Sequence, residues 1–589
     1  MTRRISFVAA LLVAAAPLTL AQSPAQQSAD KPDRVMQAMR DEMARSTKEL
    51  RLDTLPRPYF IAYRVTEGDN VGASARLGGL LTTGNGRGSR YLQVELRVGD
   101  YAFDNTNYFG AGFLPSAYVG FGAISLDDDY QEIRRQLWLS TDRAYKQAVE
   151  ALSQKRAALQ TRTATEAVPD FSREPVTNTV EELPAPVVNR AALDSLARDL
   201  SAIFKATPEI YNSSVSVNAG YSRIRYLNSD GTSYVRARPS AGVSVQAFTQ
   251  AGDGMPLADY FSASGRVTAD LPARDTLIAR TRALAAGLAN LRATALADAY
   301  DGPVLFEGDA AGELLNTVLA PKLVGTRKPV TNPMYERVMQ MQGGANDWLD
   351  LIGARVLPLF LSVVDDPTLS SVQGVKLQES SRVDDEGVTV HPTKVIDRGI
   401  LKTLLMTRVP VSGIERSTGS RRGNGAAPSH LIVSADSGLP ADELRRKLLA
   451  LASAQGRDYA IVVRRLTNPR LTAQADPSAM TMFRSSGGAP ADPPIRALVA
   501  VKVYADGHEE PVRGAEITGL GAAALKSIVG VSKAQNIYST VYFSTAGIFS
   551  GGGGSGLVTY VTPSLLFDNV SIRKPKGSNP RPPVVSPPF

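Results

Sequence analysis

The stretch "SVSVNAGYSRIRYLNSDGTSYVRARPSAGVSVQAFTQ" limits the fold more than any other part of this chain. Apolar and polar residues alternate on both sides of Asn228, Asp230 and Gly231, the residue types that turn a hairpin. A period of two puts one face of each strand on a core and the other toward water, so this half of the chain must contain an antiparallel sheet. "YFIAYRVTEG" and "RYLQVELRVGDYAF" repeat the pattern across the Gly-rich "TTGNGRGS". Between and around these strands the period changes to that of a helix. Val35, Met36, Met39 and Met43 form one stripe, and Ile133, Leu137, Tyr145, Val149 and Leu152 another, within a Gly- and Pro-free run from Asp129 to about Arg162. A third helix is predicted over about 190–206, and the Ala-rich "DTLIARTRALAAGLANLRATALADAY" is read as a helix running up to "DGPVLFEG".

Downstream of residue 300 the texture is mostly strand. "LPLFLSVVDDPTL", the turn "DDEG", "VTVHPTKVID", "RGILKTLLMT" and the loop "GIERSTGSRRGNGAAPSH" come first, followed by the strand "LIVSA", the helix "ADELRRKLLALASAQG" and the strand "DYAIVVRRL". "ALVAVKVYADGHEEPVRGAEI" reads as a hairpin turned at Asp506 and Gly507. "DPSAMTMFRSSGGAPADPPIRA" is read as a surface insertion, "FSGGGGSG" as a flexible tip and "NPRPPVVSPPF" as an extended tail. The predicted class is α+β: a mixed N-terminal α/β domain with an antiparallel sheet and long helices, then a predominantly antiparallel β C-terminal domain with a few embedded helices. The expected divisions are 1–21, 22–300, 301–574 and 575–589, and no fixed-period repeat argues for a solenoid or propeller.

The first division is read as a secretory signal peptide. Arg3 and Arg4 precede the apolar "ISFVAALLVAAA", and Ala21 with Thr19 offers a cleavage site. The apolar run is shorter than the roughly 20 residues a bilayer-spanning helix needs, so the mature chain is expected in the periplasm or medium with no transmembrane segment; an uncleaved anchor is the alternative. The chain has no cysteine, so no disulfide framework supports it even in an oxidising compartment. Its formal charge of +8 is spread along the sequence without a nucleic-acid motif, which argues against a nucleic-acid partner.

Four segments, "VVDDPTL", "DDEGVTVHPTKVIDRGILKTLL", "STGSRRGNGAAPSHLIV" and "VYADGHEEPVRGAEITGL", resemble in order and spacing the C-terminal half of the TldD/PmbA family of peptidases. The hairpin "RYLNSDGTSY" extends the resemblance upstream. It implies two subunit types: one carries a helical His-Glu-x-x-x-His zinc motif and a third ligand near its C-terminus, and a sister lacks them. It also implies substrates that are flexible or unfolded peptides, and a dimer, of identical or mixed subunits, in which a zinc-bearing relative does the cutting. Laid on this chain, the motif falls on "GDAAGE": Gly308 at the first histidine, Asp309 at the glutamate, Glu313 at the second histidine. "FSGGGGSGLVTYVTPSLL", where the third ligand is expected, holds no Cys or His.

A catalytic zinc needs three protein ligands and an open position for water, so no cofactor and no catalytic residue are expected here. Residues five apart on a regular helix point about 140° away from each other, so a metal-binding version needs a distortion such as a π-bulge, for which a metal-free helix offers no evident compensation. Asp309 and Glu313, four apart, share a face; beside a paired-carboxylate reading stands the stronger one, in which Asp309 caps the helix start. The chain's three histidines, His391, His430 and His508, are isolated in sequence and read as solvated surface residues. Asp365, Asp366, Asp384, Asp385 and Glu386 suit a hard cation but lack EF-hand spacing. Ser429 beside His430 lacks the geometry of a catalytic triad. Arg421 and Arg422, on a Gly-rich loop, and His430 are the candidate substrate-binding residues, with a solvated loop as the alternative. The expected function is an exported, zinc-site-degenerate homologue that binds peptide or pairs with an active zinc peptidase. A stand-alone peptide-binding or envelope scaffold is the alternative, and a metallopeptidase with substituted ligands a third reading.

Overall fold

The computed structural model describes residues 33–86, 88–109, 122–160, 168–331, 347–467, 495–543 and 554–575, with Asn579 and Val585. The expected signal peptide, most of the insertion at 476–497, most of the Gly-rich tip and nearly all of the Pro-rich tail lie outside these residues; the last two residues of the tip, Ser555 and Gly556, begin a strand. Two large sheets organise the rest. The first has eight strands and is built on the predicted hairpin. Asn212–Asn228 pairs antiparallel with Ser233–Gln250, in register from Asn212↔Phe248 to Leu227↔Ser233. The turn closes as expected, with the Asn228 side chain accepting from the Thr232 amide and Gly231 at φ +100°. Pro58–Arg76 lies on the other side of Asn212–Asn228, and Pro256–Gly265 on the other side of Ser233–Gln250.

Helices cover this sheet where their apolar stripes predict. In Arg34–Glu49, capped by Asp33, the stripe Val35, Met36, Met39 and Met43 is buried. It packs with Tyr130–Gln160 through Ile133, Leu137, Tyr145 and Leu152, while Val149 is only partly covered. Arg190–Ala202, continued by a 3-10 turn to Ala206, and Arg274–Leu291 fill a second core. The Ala-rich helix stops at Leu291, short of its predicted end. Beyond it, Ala295 and Ala297 bond to the Arg513 backbone instead.

The second sheet has eleven strands. Five of them close a ring: Tyr300–Phe306, Tyr459–Leu466, Ile495–Tyr504, Glu516–Thr518 and Ser555–Arg573, the last pairing back onto the first. From Ser555–Arg573 the sheet continues through His430–Ala435, Leu361–Asp365, Thr393–Asp397 and Ile400–Leu401. Two pairings are parallel, Tyr300–Phe306 with Tyr459–Leu466 and His430–Ala435 with Ser555–Arg573. The sheet is thus antiparallel in most of its pairs, as predicted, with two exceptions. Helix Ala441–Ala454 packs outside the ring, and the short helix Asp309–Leu314 packs with its core. Among the described residues no helix is long and apolar enough to cross a membrane.

Candidate functional site

The short helix Asp309–Leu314 begins directly after strand Tyr300–Phe306 and a turn at Gly308. Gly308 has φ +60° and ψ −133°, a backbone region that a residue with a Cβ strongly avoids. The backbone at the first motif position is therefore shaped for glycine. Asp309 does not cap the helix, contrary to expectation: the N-terminus has no side-chain cap. Its carboxylate instead pairs with Arg465 at 3.1 Å, because the Arg465 guanidinium, also held by Asp259 at 2.9 Å, draws it sideways. Glu313, on the same face, hydrogen-bonds to a different set of partners, while Arg465 and Asp309 both act on its carboxyl electrostatically.

Glu313 is 4 % exposed. One carboxyl oxygen accepts from the Tyr260 hydroxyl at 2.7 Å and the Tyr538 hydroxyl at 3.1 Å, and the other from the amide of Leu466. These partners come from Pro256–Gly265 in the first sheet and from Ile528–Phe543 and Tyr459–Leu466 in the second, so this carboxyl ties the two sheets together. Tyr538 reaches it because position 312 is glycine; a Cβ there would lie 2.8 Å from the tyrosine ring. Burial pushes the Glu313 carboxyl up to about 8, against the pull of the Leu466 amide and Tyr260. When protonated it donates to the Tyr260 oxygen, whose own hydroxyl has the Leu466 carbonyl 3.2 Å away as acceptor.

A π-helical turn, Leu315–Leu319, follows the motif. It lies beyond the motif positions and is held by hydrogen bonds of its own. The Thr317 hydroxyl donates to the Glu313 carbonyl at 2.9 Å, and Tyr560 donates to Asn316 at 2.7 Å.

The other predicted residues gather elsewhere, against the first sheet. The "DDEG" turn is largely buried. Asp384 accepts from the amides of Glu386, Val388 and Arg421. Asp385 meets Arg236, Arg64 at 3.1 Å and the Gly423 amide at 2.7 Å, and Glu386 pairs with Arg421 at 2.9 Å. Burial opposes ionisation of Asp385, but Arg64, Arg236 and Arg422 outweigh it and hold its carboxyl well below the usual range. Next door, burial and then Glu386 push Asp384 up to about 7, and burial does the same to Asp365, which accepts from the amides of Ser429 and His430. Arg421 and Arg422 are buried, so the solvated-loop alternative does not hold. Nor does the surface reading of His430, which is fully buried because its strand is paired on both sides. His391 and His508 are exposed at separate turns. Among the described residues no three His, Asp or Glu side chains gather into a metal-holding group. The five acidic residues singled out for a hard cation are engaged with arginines, amides and hydroxyls instead; Asp366, for one, accepts from Thr368 at 2.5 Å.

Sequence reasoning missed Tyr260, Arg465 and Tyr538 around the motif, and Arg64, Arg236 and Arg238 around the acidic turn. Arg236 and Arg238 carried a signal: two apart in a strand, they share a face.

The central-domain model of the PmbA/TldA metallopeptidases matches residues 179–288, and the C-terminal-domain model of the same family matches residues 300–449. The chain belongs to the TldD/PmbA family. Three solved structures of similar fold agree. A protein described as a candidate modulator of a DNA gyrase from Thermotoga maritima is 14% identical, with a TM-score of 0.56 over 91% of this chain and 100% of that one. TldE from Thermococcus kodakarensis is 14% identical, with a TM-score of 0.55 over 91% and 99%. A protein described as a candidate modulator of DNA gyrase from Bacteroides thetaiotaomicron is 13% identical, with a TM-score of 0.54 over 92% and 98%. No curated protein matches the chain.

The zinc implied by the family can be tested against the donors present. Gly308 has no side chain to offer, and Glu313 already accepts three hydrogen bonds in a pocket that favours its neutral form. The motif positions do not fit a zinc ion.

Stability follows from the same carboxyls. Glu313, Asp365 and Asp384 bind a proton more tightly folded than unfolded, so their contribution is complete below the ordinary carboxylate range and is lost as pH rises through about 7 to 8. Glu313 alone accounts for a loss on the order of 4 kcal/mol between about pH 4.5 and 8. Denaturant midpoints measured at pH 5, 6, 7 and 8 should fall in that order.

Proposed function

We propose that this chain is an exported, metal-free subunit of the TldD/PmbA type, which binds extended peptide or pairs with a zinc-bearing relative and leaves cleavage to it. The observation that carries the reading is the fate of the second histidine position. Glu313 is locked between two tyrosines and a strand amide, and the first histidine position is a glycine in a glycine-only conformation. Export is supported by the arginines and short apolar run at the start of the chain. A peptide-binding role is supported by the family's metallopeptidase description and by the buried arginines that converge beside His430.

Metal content is the test. The full chain purified from zinc-supplemented culture should carry far less than one zinc and show no chelator-sensitive peptidase activity. The Gly308→His, Glu313→His double variant should not acquire one, because His at φ +60° is strained and the segment where a third ligand is expected holds no Cys or His. Stoichiometric zinc in the wild-type chain, with peptidase activity that a chelator abolishes, overturns the proposal. Co-purification with a zinc-bearing relative separates the paired subunit from a stand-alone peptide binder.

A further inference from the structure

Beside the acidic turn, one row of side chains crosses three strands of the first sheet, Ser89–Val98, Pro58–Arg76 and Asn212–Asn228. Ala62 stands in the middle of the row, paired directly with Glu95 on one side and with Asn228 on the other. Directly paired residues carry their side chains on one face of a sheet, about 5 Å apart, so the three rise in line and the middle one is a single methyl. The next row on the same face is Gln93, Arg64 and Tyr226. Tyr226 leans back toward the first row, where Asn228 Nδ2 donates to its hydroxyl at 3.4 Å. Asp385 and Glu386, from the other half of the chain, complete the wall of a hollow over Ala62. Arg64 holds Asp385 at 3.1 Å and Arg421 holds Glu386 at 2.9 Å. The hollow leaves about 10 Å³ for the centre of a water-sized group, which is room for about one oxygen. Gln93, half-buried, and the Arg64 side chain, 15 % exposed, stand at its mouth.

Two groups in this hollow have hydrogen-bonding capacity left over. Glu95 is 5 % exposed, and the two Arg97 nitrogens that reach it, Nε at 2.8 Å and Nη2 at 2.7 Å, meet the same oxygen, Oε1. Among the described residues Glu95 Oε2 has no hydrogen-bond partner. Tyr226, also 5 % exposed, accepts from Asn228, and its hydroxyl proton has no acceptor among the described residues. An acceptor and a donor, each on a side chain more than nine-tenths buried, thus line one small space without bonding to each other.

Whatever enters must accept from Tyr226 and donate to Glu95 within that space. An ammonium group cannot accept, and a carboxylate cannot donate and would meet three carboxylates already there. A primary amide does both, but through two different atoms on a carbon, three heavy atoms where there is room for about one. A hydroxyl does both through a single oxygen. We propose that the hollow over Ala62 is a site for one hydroxyl oxygen, which accepts from Tyr226 and donates to Glu95 Oε2. Water and the side chain of a serine or threonine in a bound peptide offer the same chemistry. Only the second source rests on the peptide-binding reading above.

A crystal structure of the full chain without peptide should show one ordered oxygen within about 3.2 Å of both Tyr226 Oη and Glu95 Oε2, and Ala62→Val should expel it. A hollow without that oxygen in the wild-type chain overturns the site. A fluorescent peptide with serine placed at each position in turn is then titrated against its alanine counterpart. Binding about fivefold tighter for one serine position, the scale of one neutral hydrogen bond, and lost in Tyr226→Phe, assigns the oxygen to the peptide. Equal binding throughout, with the oxygen present in the crystal, assigns it to water and overturns the peptide source. A serine preference that survives in a Tyr226→Phe protein melting like wild type overturns that source too. If no peptide binds, the peptide-binding reading falls, while the oxygen in the crystal still decides this site.

Discussion

Glu313→Ala should lower the stability of the folded chain by about 3–5 kcal/mol, the range for stripping the partner from several buried donors at once. The variant removes the acceptor shared by the hydroxyls of Tyr260 and Tyr538 and by the amide of Leu466 in a dry pocket, leaving Tyr260 only the Leu466 carbonyl 3.2 Å away. Glu313→Gln keeps the shape. Its oxygen can face the Leu466 amide while its NH2 donates to the tyrosines, so its cost should be only about 1 kcal/mol. The more telling difference is in pH dependence. An amide cannot ionise, so Glu313→Gln should flatten the decline in stability between pH 5 and 8 by roughly one proton's worth. A glutamine variant with the wild-type slope would show that Glu313 is already charged at neutral pH, and the account of the pocket would be wrong.

Asp385→Ala is the second large effect, at about 3–5 kcal/mol, because it removes one carboxylate from a buried and a half-buried guanidinium and a backbone amide. Its neighbour supplies the control. Asp384 is held by amides rather than arginines, so Asp384→Asn, which keeps an acceptor for Glu386 and Val388 and loses only the one for Arg421, should cost about 1–2 kcal/mol. Urea midpoints of the two variants at pH 7 should therefore differ widely although the residues are adjacent. Similar losses in both would mean that Arg64 and Arg236 find other partners when Asp385 is gone.

What could be read from the sequence depended on how far apart the interacting residues lie along the chain. The hairpin at Asn228–Gly231 and the stripe Val35, Met36, Met39 and Met43 are local patterns, and both stand as read. The missing imidazoles at 308 and 313 were equally plain. What replaced them was not: Tyr260 lies 53 residues before Glu313 and Tyr538 lies 225 after it. Only the meeting of the two sheets brings them together. His430 was misread because Pro428 and the Gly-rich loop suggest a surface position, while its burial comes from strands at 361–365 and 555–573 on either side. The two parallel pairings were invisible for a related reason, since a strand's alternation is the same whichever way its neighbour runs. Asp309 was read as a cap from its place after Gly308, but a guanidinium 156 residues away competes successfully for its carboxylate.

Strand Ser555–Arg573 touches Tyr300–Phe306, His430–Ala435, Glu516–Thr518 and Ile528–Phe543. The ring thus has its keystone in a strand that comes after all of its partners in the chain. Until that piece emerges from the ribosome, the earlier strands lack the partner that closes them, and their apolar faces stay uncovered. Closure of this half therefore waits on one strand that follows every one of its partners along the chain.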